Sequence, residues 1–221
     1  MATDMTLYWG AGSPPCWRVM IALEEKHCDY DSKLLSFEKA EHKSPTVLAI
    51  NPRGQLPTFK HGNRIINESA GACLYLENEF KDQGTKLTPT CRDEQAMMFQ
   101  RIFEAVPLGQ KLVDILYYEW KVPEGERHDS AKARNKEAVR VELKLWEGYL
   151  GKGSGPFMAG KSFSLADVTV FPYIAFAFYH GLCADRFPKL AQYHSMVKDR
   201  PSVKKTWPTV WQQNTDKLKD I

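Results

Sequence analysis

The sequence predicts a two-part fold, an α/β first third followed by an all-α remainder. Three observations carry this reading. Short apolar runs of strand length alternate with helical patterns as far as Phe80. A polar stretch containing Gly and Pro, Lys81 to Thr90, then breaks the pattern. Beyond it the strand signals stop and only helical spacing remains. The expected division is a first domain over 1–81, a linker over 82–90 and a helical domain over 91–221.

Met5 to Trp9 is an apolar run of strand length, and Val19 to Lys26 places apolar residues at helical spacing after a Gly/Ser/Pro break. Tyr30 to Leu35 reads as a second strand, parallel to the first because a helix lies between them. Ser36 to Ala49 is polar and partly helical by pattern. Asn51-Pro52-Arg53-Gly54-Gln55-Leu56-Pro57 is a turn-rich approach to a strand at Thr58 to Lys60. His61-Gly62-Asn63 reads as a hairpin turn, with the strand Arg64 to Asn67 returning from it. Glu68-Ser69 opens a helix with Cys73, Leu74, Leu76 and Phe80 on its apolar positions. In the second part, Arg92 to Trp120, Asp129 to Leu150, Ser164 to Tyr179 and Phe187 to Asp199 are expected to be helical. Ser164-Leu165-Ala166-Asp167 has the capping-box pattern, with Phe163 and Val168 as the apolar staple, and its reading is structural.

Composition narrows the function. A chain of 221 residues with 43% hydrophobic and 26% charged residues is ordinary for a globular protein. Lys+Arg 30 against Asp+Glu 27 leaves +3, spread along the chain, so no nucleic-acid partner is expected. The longest apolar run, Val168 to Phe178, has 11 residues and contains Pro172, so no membrane span is expected. No apolar signal region follows a basic start at the N-terminus. The five cysteines are odd in number and form no metal-type pairs, so reduced thiols, a cytoplasmic location and no metal are expected.

The chemistry concentrates at Gly12-Ser13-Pro14-Pro15-Cys16-Trp17-Arg18. Ser13 is placed as an N-cap, with Pro14 at the first helical position. Pro15 removes another donor, so the first free amides are expected at Cys16 and Trp17. A helix N-terminus attracts anions and depresses thiol pKa values, so a thiol docking here would tend toward thiolate.

Ser13-Pro14-Pro15-Cys16-Trp17-Arg18, Gly54-Gln55-Leu56-Pro57, Asn67-Glu68-Ser69 and Ser164-Leu165-Ala166-Asp167 fall in the order of the landmarks of cytosolic glutathione transferases. The chain resembles that family over essentially its whole length. It is most similar to the serine-type classes (theta-like, zeta-like) and above all to the rho class. The resemblance implies a thioredoxin-like glutathione-binding domain, an all-α C-terminal domain lining an electrophile site, and a homodimer. It also implies glutathione as co-substrate with no further cofactor, and small hydrophobic electrophiles as the other partner.

The resemblance distributes the roles as follows. Leu56-Pro57 resembles the family's cis-proline turn, which presents the backbone of Leu56 to the cysteinyl part of glutathione like an added strand. Ser69, with an N–H and a hydroxyl at a helix start, suits the γ-glutamyl carboxylate, and Glu68 suits the adjacent ammonium. Gln55 is a further contact, and His42 and Lys43 match the region reaching the glycyl carboxylate. Ser13 is the catalytic candidate, its hydroxyl donating to the glutathione sulfur. Tyr8 competes with it, since other classes use a tyrosine at the end of the first strand. Cys16 is expected to be a buried inert thiol, and Arg18 a structural ion-pair partner at the domain interface. Trp9, Phe103, Tyr118 and Trp207 are the candidates for the electrophile pocket. Arg53 stands where some classes carry an aromatic dimer "key", so polar pairs are expected at a dimer interface.

The function expected is conjugation of the glutathione thiolate to hydrophobic electrophiles, a detoxification chemistry. The alternatives are a non-catalytic ligand-binding protein on the same fold, or a glutathione-dependent isomerase or peroxidase.

Overall fold

The computed structural model describes residues 4–221. Two compact units emerge, Met1–Thr88 with Asp199–Gln212, and Pro89–Lys198 with Gln213–Ile221. The first unit contains β1 (Met5–Trp9), α1 (Pro14–Glu25), β2 (Asp31–Leu34), α2 (Pro45–Leu48), β3 (Thr58–His61), β4 (Arg64–Ile66) and α3 (Ser69–Glu79), the β-α-β-α-β-β-α order expected. The sheet runs β2-β1-β3-β4, with β1 and β2 parallel and the other pairs antiparallel. Leu7 and Phe59 pair across β1 and β3, and both are fully buried. The short β2 is exposed along its length, and its Asp31-Ser32-Lys33 residues mark it as a protected edge. Helix α1 packs on α3, bringing Ile21 and Leu23 into the same core as Cys73 and Leu76.

The second unit contains α4 (Arg92–Leu116), α5 (Tyr118–Lys121), α6 (Asp129–Lys152), α7 (Leu165–Tyr179) and α8 (Pro188–Val197). Helix α7 is its centre, buried from Leu165 through Ala177. The capping box forms as expected: Asp167 Oδ2 accepts from Ser164 N–H at 2.9 Å, and Ser164 Oγ accepts from Ala166 N–H at 3.3 Å. Gly109 lets α4 approach α7 closely, because a Cβ there would lie 2.2 Å from the Tyr173 ring. The helix expected over Arg92 to Trp120 breaks at Tyr117, whose φ of −111° and ψ of 16° leave the helical region.

One boundary differs from expectation. The 91–221 stretch is not all in one unit, because Asp199–Gln212 packs in the first. It carries α9 (Pro201–Lys205), which sits against α1. Arg200 forms a two-pronged bond to Glu25 at 2.5 and 2.7 Å, Ser202 donates to the same carboxylate, and Trp17 Nε1 donates to Thr206 Oγ1 at 2.8 Å. Within the 82–90 stretch, the Thr85 N–H donates to Glu25 O at 2.7 Å, and the Leu87 and Thr88 N–H groups donate to Glu77.

Candidate functional site

Strand register brings the sequence-predicted segments of the first unit to one end of the sheet. Trp9 pairs with Leu34, so the chain leaves β1 and β2 at the same end. Tyr8 pairs with Thr58, so β3 begins there, and Phe59 pairs with Ile66, so β4 finishes there. The loops bearing Ser13, His42 and Lys43, Gln55-Leu56-Pro57 and Glu68-Ser69 therefore share that end, the place where parallel-strand sheets hold ligands.

Ser13 is the N-cap of α1, but its hydroxyl makes no capping bond. Pro14 and Pro15 fill the first two helical positions and offer no N–H, which removes one of the two amides a cap residue can accept from. The Trp17 N–H, expected to be free, donates to Ser13 O at 3.0 Å as the first helical bond. Cys16 is 1% exposed, and its Sγ accepts from the Gly10 N–H at 3.5 Å. Burial pushes this thiol up to about 11 against hydrogen bonds from Ser13 and Gly10, so it stays neutral and inert at physiological pH. Gly12 has a φ of +71°, which suits glycine, and a side chain there would press on Val210 and Trp211.

The Leu56–Pro57 bond is cis, as the resemblance implied. Leu56 engages in no backbone hydrogen bond among the described residues, which leaves its amide and carbonyl for an extended ligand. The turn is held from beneath by Asn51, which sequence reasoning assigned only to a turn. Its Nδ2 donates to Gln55 O at 2.8 Å and to Thr58 Oγ1 at 3.1 Å, while its Oδ1 accepts from the Arg53 N–H at 3.2 Å. An Asn just ahead of Pro-x-Gly was the available signal for this Asx-type brace. Gln55 itself is exposed. Lys43 Nζ donates to Arg53 O at 3.0 Å, and the His42 ring stands edge-on to Phe37. Burial, with the Lys43 charge adding to it, lowers the His42 pKa, so the ring favours its neutral form.

At the start of α3, Glu68 is exposed and Ser69 is buried. Ser69 Oγ accepts from Arg18 Nη1 at 3.2 Å. This bond joins α1 to the start of α3 within the first unit.

Ser13 opens onto a cavity of about 200 Å³ walled by Trp9, Cys16, Trp17, Met20, Thr206, Trp207 and Pro208 among others. Trp207 and Trp211 each stand edge-on to Trp17, at 5.1 and 5.3 Å. Trp9 and Trp207 are therefore brought together beside Ser13. Tyr8, half-buried and pointing to the other face of β1 from Trp9, is not among the lining residues described. Phe103 and Tyr118 lie in the second unit. Phe103 is 66% exposed on α4, and Tyr118 is buried with its hydroxyl accepting from the His128 N–H at 3.0 Å. Met20 and Pro208 went unread in the sequence, since neither carries a polar or aromatic signal.

No group of three or more His, Cys, Asp or Glu that could hold a metal occurs among the described residues, and no described helix is long and apolar enough to cross a membrane.

Comparison with known proteins places these features. Residues 12–79 match the family described as glutathione S-transferase, N-terminal domain, and residues 108–206 match glutathione S-transferase, C-terminal domain. The chain is 62% identical over 225 aligned residues to glutathione S-transferase A of Pleuronectes platessa, covering all of both chains. Among solved structures it is similar to a glutathione S-transferase from the Antarctic clam Laternula elliptica, with a TM-score of 0.86, 38% identity and 98% of each chain covered. It is also similar to a glutathione transferase of Phanerochaete chrysosporium in complex with oxidised glutathione, at a TM-score of 0.81 and 29% identity over 93% of this chain and 95% of that one. A thioredoxin-like domain with these landmarks, joined to a helical domain and matched over its whole length, makes this chain a member of the glutathione S-transferase family.

Proposed function

We propose that the chain is a glutathione transferase in which Ser13 stabilises the thiolate of bound glutathione and the neighbouring cavity presents a hydrophobic electrophile to it. The observation that carries the reading is the Ser13 hydroxyl, which caps no helical amide, meets the Cys16 thiol and lines a tryptophan-walled cavity. A free thiol of pKa about 8.5 is only about 3% ionised at pH 7, and lowering it by about 2 units takes roughly 2.7 kcal/mol. One hydrogen bond to a charged sulfur supplies roughly 1.5–3 kcal/mol. The helix end adds roughly 0.3–1 kcal/mol. No general base is required.

The tripeptide's backbone lies along Leu56 as an extra strand, its γ-glutamyl carboxylate at Ser69, its ammonium at Glu68 and its glycyl end toward His42 and Lys43, with Gln55 as a further contact. Holding both reactants in one pocket supplies much of the rate by proximity. The resemblance to the rho class, a homodimer, a cytoplasmic location and a detoxifying role belong to the same reading. The full-length relatedness favours a transferase over a carrier, an isomerase or a peroxidase.

The test is a pH titration of enzyme-bound glutathione by thiolate absorbance. Ser13→Ala is expected to raise the bound thiol's pKa by more than about one unit while glutathione affinity barely changes. Tyr8→Phe is expected to leave it in place, and the reverse pattern would reassign the role.

A further inference from the structure

Arg18 occupies an unusual place for a guanidinium. It is 4% exposed, on the face of α1 that packs against α3, and its Nη1 donates to the hydroxyl of Ser69, itself 7% exposed and the first residue of α3. Burying a permanently charged group is expensive, and packing alone would be served as well by an apolar side chain. A guanidinium only donates, so the bond occupies a lone pair of Ser69 and leaves its proton to point elsewhere. The loop before α3 and the cis-proline turn lie at the same end of the sheet, since β4 finishes where β3 begins. The charge also reaches along α3: burial pushes the Cys73 thiol, one turn in, up to about 12, and Arg18 acts against that rise. In a poorly screened interior, such a charge acts at longer range than at the surface.

We infer that Arg18 is a positioning residue for the carboxylate end of the tripeptide: it fixes the Ser69 hydroxyl as a donor and sets a permanent positive charge behind the first turn of α3. The inference rests on the reading that Ser69 receives the γ-glutamyl carboxylate. Arg18 touches no ligand in this scheme. It acts through Ser69, as the charged half of a donor pair whose other half is the helix N-terminus.

The experiment compares two ligands by calorimetry: glutathione, and the analogue 4-aminobutyryl-Cys-Gly, which lacks only the γ-glutamyl carboxylate. Arg18→Met is expected to weaken glutathione binding about tenfold, with the analogue changed by less than about twofold and the bound thiol's pKa unmoved. Ser69→Ala is expected to show the same selectivity, and the double variant to lose far less than the product of the two single losses, because the residues act as one unit. Equal weakening of both ligands by Arg18→Met, or fully multiplicative losses, would overturn the inference while leaving the Ser69 reading intact. Equal weakening of both ligands by Ser69→Ala would overturn the underlying reading instead. Should Arg18→Met be too unstable to assay, Arg18→Lys keeps the charge but loses the fork. Its expected result is a selective loss of about threefold for glutathione, and an unselective loss counts against the inference.

Discussion

Asn51 and Gln55 are joined across the turn that precedes β3: the buried amide of Asn51 donates to Gln55 O at 2.8 Å. The same side chain reaches Thr58 and the Arg53 N–H, so one residue braces both sides of the cis-proline turn. Asn51→Ala would remove three hydrogen bonds at a site only 1% exposed. The expected cost is about 2–3 kcal/mol of stability, measured by chemical denaturation. Glutathione KM should rise with it, because the Leu56 backbone loses its fixed orientation.

Lys26 is fully buried and pairs with Glu77 at 2.7 Å, while the other oxygen of Glu77 accepts from the Leu87 and Thr88 N–H groups. Glu77→Ala would strand the ammonium away from water and free two amides. A loss of about 3–5 kcal/mol is expected. Hydrogen exchange at Leu87 and Thr88 should accelerate at the same time, and unchanged protection there would refute the anchoring role.

Trp207 forms one wall of the cavity beside Ser13 and stands edge-on to Trp17. Trp207→Ala should raise KM for an aromatic electrophile about tenfold, the worth of a lost aromatic contact. Glutathione KM should stay within about twofold, since the contacts proposed for the tripeptide lie elsewhere. Steady-state kinetics with each substrate varied in turn separates the two effects.

His180 is buried, with Nδ1 at 2.7 Å from Thr215 Oγ1, and burial, aided by the Lys217 charge, lowers its pKa from 6.5 to about 4. The unfolded chain therefore binds the proton more readily than the folded one between those values. The stability this neutral ring contributes is complete above pH 6.5 and declines as pH falls toward about 4. His194, lowered to about 4 by burial and the Lys198 charge, acts in the same sense. Asp167 acts oppositely, because burial raises its carboxyl to about 6 despite four donors, so acidification favours the folded form there. Denaturation midpoints across this range should fall less steeply in His180→Asn than in the unaltered protein, by up to about 3 kcal/mol at the acid end.

Much of this was legible in the sequence for a simple reason: period-2 and period-3.6 patterns are local, as are caps and turns. The strand and helix order of the first unit and the Ser164–Asp167 box needed only neighbouring residues to be read, whereas the cis form of Leu56–Pro57 came from the family resemblance. Arg18 reaching Ser69 and Thr206 receiving Trp17 were not legible, because each links positions far apart in the chain with no local pattern. Helix α9 has five residues, too few to show a period. The Ser13 hydroxyl reads as a cap because the rule considers the cap residue, whereas the two prolines after it remove one of the two amides it could accept from.

The wall that faces Ser13 is made late. Trp207 and Pro208 belong to a segment that follows all the long helices of the second unit in the chain, yet they border the same hollow as Trp9 and Cys16. During synthesis the Ser13 side of the chamber is laid down early and its opposite side nearly last. A chain cut short before Asp199 would keep the serine while lacking the indole of Trp207, the hydroxyl of Thr206 that caps Trp17, and the arginine that neutralises Glu25.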